Sequence, residues 1–140
     1  MSRIRIKIII AGHLIKPLNK AFIEKWESDI FEISKGINEY KLTSNSDGSN
    51  WEFSDSLLDK QIISKFDEDF LVAIVSVPLE SNYYTRRIGK NRVIISSFEI
   101  FEILRRENVP FENFILQRIY AYTILYKKYS QIPGYDKSNS

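Results

Sequence analysis

Residues 70–77 read Phe-Leu-Val-Ala-Ile-Val-Ser-Val, an apolar run broken only by Ser76. No polar residue recurs at every second position, so a strand formed here has no face to give to water. Such a strand belongs in the middle of a sheet with other elements packed on both sides. That requirement points to a layered α/β fold, and the rest of the chain is read around it.

Arg3 to Ile10 alternates charge and isoleucine before closing on Ile8-Ile9-Ile10, the profile of a second strand entering the interior. The short apolar run and its period-two charges predict a strand rather than a secretion signal. Gly12 ends it. Pro17 suits a first helical turn, and Leu18, Phe22, Trp26, Ile30 and Ile33 follow at helical spacing, which predicts an amphipathic helix of about four turns with Lys35-Gly36 as its C-cap. Ile37 to Thr43 alternates weakly, as an edge strand would, and Asn45 to Ser49 has turn composition. Ser54 or Asp55 is placed to cap a short helix whose apolar positions are Leu57, Leu58, Ile62 and Ile63.

Beyond the central run, Pro78 to Asn91 reads as a long polar connection and Arg92 to Ser96 as a short strand. Ser97 is expected to cap a helix that turns Phe98, Phe101, Ile103 and Leu104 inward and stops near Asn108-Val-Pro110. Pro110 then opens a long final helix, apolar at Phe111, Phe114, Ile115, Ile119, Tyr122 and Tyr126. The polar stretch from Ser130 onward reads as a frayed tail, which sets a single domain at 1–129 and a tail at 130–140. The expected fold is α/β: a mixed, partly parallel sheet of about four strands packed by three or four helices.

A chain of 140 residues with 44% hydrophobic side chains has material for one core. Its 20 basic residues nearly balance 18 acidic ones, so any cationic surface is local rather than a general coat for nucleic acid. The absence of cysteine removes disulfides, thiolate metal sites and a cysteine nucleophile, and fits a reducing, cytoplasmic setting. No apolar stretch reaches the roughly 18 residues a membrane helix needs.

The residues able to carry chemistry are few. His13, the only histidine, follows the first strand; without cysteine it cannot by itself make a structural zinc site, and it reads best as a loop-capping or partly buried structural histidine, with a general base or ligand as the alternative. Asp67, Glu68 and Asp69 alternate in direction along an extended chain and read as a solvated strand entrance. Glu99 and Glu102 lie within helical reach of Arg105 and Arg106 as ordinary ion pairs. Ser96 and Ser97 lack the glycines of a nucleophile elbow, and no P-loop or dinucleotide fingerprint occurs. The most distinctive cluster is Tyr83, Tyr84, Arg86, Arg87, Lys90 and Arg92, where rings to stack on a base sit beside cations to hold phosphates.

From Phe70 onward the order is an apolar strand ending in Val77-Pro-Leu79, a polar loop, Arg92-Val-Ile-Ile-Ser-Ser97 and two closing helices. This order resembles the archaemetzincin-like zincin metallopeptidases, over nearly the whole chain, by topology rather than by motif. The resemblance implies a helix with two zinc-binding histidines one turn apart and a glutamate base. This chain departs from it: Tyr122 and Tyr126 stand at the histidine positions and Thr123 at the glutamate. A phenol with a pKa of about 10 is a poor zinc ligand near neutrality, and threonine is no carboxylate base. The resemblance therefore implies a zincin-like scaffold without metal, cofactor or catalysis. The reading that follows is a protein-interaction or regulatory module whose partner is another protein or subunit. The alternative is a binder of nucleotides or single-stranded nucleic acid, or a small phosphodiester-cleaving enzyme using Arg86, Arg87, Lys90 and Glu80. A third reading makes the chain one subunit of a larger assembly, joined through Tyr120, Tyr122, Tyr126 and Tyr129 on the last helix.

Overall fold

The computed structural model describes residues 3–43, 45–48 and 51–132. Strand β1 (Ile4–Ala11) sends Ile6, Ile8 and Ile10 into one core and Ile9 and Ala11 into another. A single-turn helix, α1 (Lys20–Glu24), contributes Ile23 and is followed by two short strands beside β1, β2 (Phe31–Ile33) and β3 (Asn38–Tyr40). Helix α2 (Asp55–Gln61) is capped by the Ser54 hydroxyl, which accepts the Leu57 N–H at 3.1 Å. Strand β4 (Phe70–Val75) has every residue fully buried, as its two-sided apolar run demands. A single 3-10 turn at Glu80–Asn82 leads to the hairpin of β5 (Thr85–Ile88) and β6 (Arg92–Ser96), and helices α3 (Ile100–Arg106) and α4 (Phe111–Tyr129) close the fold.

The sheet has six strands in the order β2-β1-β4-β6-β5, with β3 continuing the β2 side of β1. All pairings are parallel except β5 with β6. α1, α3 and α4 cover one face through Ile23, Ile100, Leu104, Ile115 and Ile119; α2 covers the other through Leu58 and Ile62. The domain is thus a three-layer α/β sandwich with β4 at its centre, richer in strands than the sequence predicts.

Several expectations are corrected. The four-turn helix from Pro17 to Ile33 is α1 plus β2. β1 offers an unpaired edge that the second half of this segment fills, with Ile4 N–H donating to Ile30 C=O and Ser34 N–H to Ile6 C=O. Phe22 and Trp26, expected inside, are exposed, and Gly36 sits in a turn at φ 86° rather than at a helix C-cap. The expected loop 78–91 contains β5, whose two arginines hide its strand character because an edge strand tolerates charge. Ser97 does not cap α3. Glu99 holds the N-cap position in the left-handed region, while the Ser96 hydroxyl accepts the Phe98 N–H at 3.1 Å. Ile103, expected inward, is exposed. Ile132 is completely buried and its N–H donates to Lys90 C=O. Ser49 of the expected turn and the tail 133–140 lie outside the described residues.

Candidate functional site: a cleft along the open edge of β5

β5 is the outer strand of the sheet. Ser96 N–H donates to Tyr84 C=O at 2.8 Å, and Arg86 pairs with Ile94. By the alternation of an antiparallel ladder, Tyr84, Arg86 and Ile88 bond to β6, while Thr85 and Arg87 turn their backbone N–H and C=O toward the open edge. Side chains alternate as well. Arg86 and Ile88 face α2, where Ile88 enters the smaller core. Thr85 and Arg87, opposite Ile95 and Val93, face α4.

A cleft of about 600 Å³ follows this edge. Its floor is the stretch Tyr83 to Arg87, and its overhang is one stripe of α4, Phe114, Arg118, Tyr122 and Leu125. Asp55 also lines it, so the cleft reaches both faces of β5 and straddles the strand edge.

The three arginines of this cleft differ in state. Arg86 donates from Nε to Asp55 Oδ1 at 3.0 Å and lies 3.4 Å from Glu80 Oε2, with the Tyr83 ring 5.1 Å from its guanidinium. Its pKa is raised, chiefly by the hydrogen bond to Asp55, against the opposing effect of partial burial. Arg87 is exposed and, among the described residues, its side chain donates to Gly89 C=O at 2.6 Å. Arg118 lies over the Tyr122 ring at 5.1 Å, and its buried Nε has no hydrogen-bond partner among the described residues. Neither Arg87 nor Arg118 meets a carboxylate among the described residues.

The structure thus brings Tyr83, Tyr84, Arg86 and Arg87 together and separates the other two members of the cluster. Lys90 sits in the hairpin turn, outside the cleft lining. Arg92 is 7% exposed and structural: it pairs with the Asp59 carboxylate and donates to Asp59 C=O and Ile62 C=O at 3.3 and 3.2 Å. It ties the end of α2 to the sheet and is unavailable to a ligand.

Tyr122, 8% exposed, forms part of the cleft wall. Thr123 is sealed, its hydroxyl donating to Ile119 C=O at 2.8 Å. Tyr126 leans on Phe70 with ring centroids 5.7 Å apart, and burial raises its pKa, with the Asp69 charge adding to the shift. Arg118 escapes a reading of the sequence that looks for clustered cations. The available signal was a lone arginine inside the otherwise apolar stripe Phe114, Arg118, Tyr122.

His13 is exposed, and its backbone C=O accepts the Ser76 hydroxyl. Among the described residues no three His, Cys, Asp or Glu side chains converge as metal ligands, and no helix is long and apolar enough to cross a membrane. A larger, shallower hollow of about 770 Å³ lies beside Lys7, Tyr40 and residues 63–68. Part of its charge is compensated within the fold. Partial burial opposes ionisation of Glu68, but a hydrogen bond with Ser34 and the nearby Lys7 and Arg5 charges hold its carboxyl below the usual range. Next to it Asp69 accepts the Arg5 N–H at 2.7 Å. Asp69 therefore helps to anchor the strand entrance, and two arginines that meet no carboxylate among the described residues, Arg87 and Arg118, line the β5 cleft. Comparison with protein-family models, with curated proteins and with solved structures returns no match for this chain.

Proposed function

We propose that this chain is a non-catalytic protein-interaction domain that takes an extended segment of a partner protein along the open edge of β5. The observation that carries the reading is the cleft beside that edge, lined by residues 83–87, where the ladder pattern turns the backbone groups of Thr85 and Arg87 away from β6. An extended peptide added there continues the sheet through main-chain hydrogen bonds, while its alternate side chains meet the α4 stripe on one face and Asp55 with Arg86 on the other. The same reading treats the domain as a metallopeptidase-like scaffold without its metal site. Tyr122, which stands in for a ligand in that resemblance, borders the peptide cleft and offers a ring instead of an imidazole. The lack of cysteine supports a cytoplasmic setting.

Selection of random linear peptides displayed on phage tests the proposal. Enriched peptides should bind the wild type and lose at least about tenfold in affinity to Arg87→Pro, which removes an outward N–H at a position where an edge strand accepts proline. Enriched peptides indifferent to Arg87→Pro would move the interface elsewhere. The nucleic-acid reading makes the opposite forecast: short single strands would bind with a steep loss on adding salt.

A further inference from the structure

We infer that Arg118 is the anchor for an oxyanion, a carboxylate or a phosphate, carried by the segment that occupies the β5 cleft. This rests on the strand-edge reading above and adds what the segment must present. Arg3, Arg86, Arg92 and Arg105 each meet a carboxylate in the fold, whereas Arg118 meets none among the described residues. Exposed arginines often lack partners because water serves them. Arg118 differs in that its Nε–H is removed from solvent without a replacement acceptor among the described residues. With Nε shut away, the terminal nitrogens are the donors left for a ligand in the cleft, and a charged acceptor there gains a charge-assisted hydrogen bond.

The setting matches the chemistry. Tyr122 supports the guanidinium from one side at 5.1 Å, and Phe114 lies one helical turn before it, so both cleft neighbours along the stripe are aromatic. A guanidinium presents its nitrogens as a planar fork, which matches two oxygens of a carboxylate or phosphate and is poorly met by a neutral amide. Arg87 projects from the α4-facing side of β5 and adds a second unneutralised cation to the same cleft. On the opposite face, Asp55 and Glu80 already satisfy Arg86. An acidic side chain of the added strand is therefore favoured where it points toward α4.

Three fluorescein-labelled, threonine-rich octapeptides that differ only in a central glutamate, phosphoserine or glutamine test this by anisotropy. The glutamate or phosphoserine peptide should bind at least about tenfold more tightly than the glutamine peptide, and which of the two binds better identifies the anion. Arg118→Gln should erase the difference and keep the weaker binding, with Arg118→Lys between. In the wild type the Arg118 Nε–H resonance, followed by NMR, should move on adding an acidic peptide and stay in place with the glutamine peptide, a readout that needs no variant. Equal binding of all three peptides overturns the anchor and leaves strand addition standing. Failure of all three to bind overturns both. A shift of the same resonance by AMP, with no peptide effect, assigns the site to a nucleotide and also overturns the proposal.

Discussion

Arg87 and Arg92 stand five residues apart in one basic stretch and do opposite things. Arg92 is buried on carbonyls and on the Asp59 carboxylate, while Arg87 reaches only a neighbouring carbonyl at the surface. Replacing Arg92 with alanine leaves two carbonyls of the α2 end without their donor and should cost about 2 kcal/mol or more. Arg87→Ala should stay within about 0.5 kcal/mol. Urea unfolding of the two variants checks the contrast, and equal losses would contradict the structural assignment of Arg92. Nothing in the local sequence separates these arginines. The partners that decide their states, Asp55 for Arg86 and Asp59 for Arg92, lie 31 and 33 residues away.

At the scale of elements, the start of α2 joins sequence-local capping to a longer reach. Asp47 accepts the Ser54 N–H at 2.9 Å and the Ser54 hydroxyl at 2.6 Å, and these bonds lower its pKa, the hydroxyl bond most. A carboxylate with a depressed folded pKa stabilises the fold above its unfolded pKa of about 3.9 and loses that contribution as pH falls through the folded value. Asp47→Asn should therefore flatten the acid limb of the unfolding curve below about pH 4, and an unchanged limb would remove Asp47 from this role. Tyr126 on α4 has the opposite sign. Its raised pKa favours the neutral phenol, so its contribution is complete below about pH 10 and lost as pH rises through the folded value. Tyr126→Phe should weaken the loss of melting temperature between about pH 10 and 12 relative to the wild type. Strong local patterns made α2, β4 and α4 legible. The segment 17–33 was not, because the spacing of Phe22, Trp26 and Ile30 fits a helix while pairing with the β1 edge rewards extension from Phe31 to Ile33.

For the molecule as a whole, the last described residue matters more than its polar surroundings suggest. Ile132 is fully buried, and its N–H bonds the carbonyl of Lys90 in the β5–β6 turn, joining the end of α4 to the hairpin that carries the cleft. A chain ending at residue 129 should be less stable by about 2–3 kcal/mol than one ending at residue 132, and the comparison is made by urea midpoint. Equal midpoints would remove Ile132 from this role. The sequence by itself determined the layered α/β class, the central place of β4 and the apolar stripe of α4. Each follows from the periodicity of burial, which a strand or helix imposes on neighbours a few residues apart. Only the tertiary structure decided that residues 85–88 form an edge strand, that Arg86 and Arg92 are spent on α2, and that Arg118 overlooks the remaining cation, Arg87, across one cleft. Those outcomes depend on partners brought together from distant parts of the chain, and no local pattern encodes which charge will meet which.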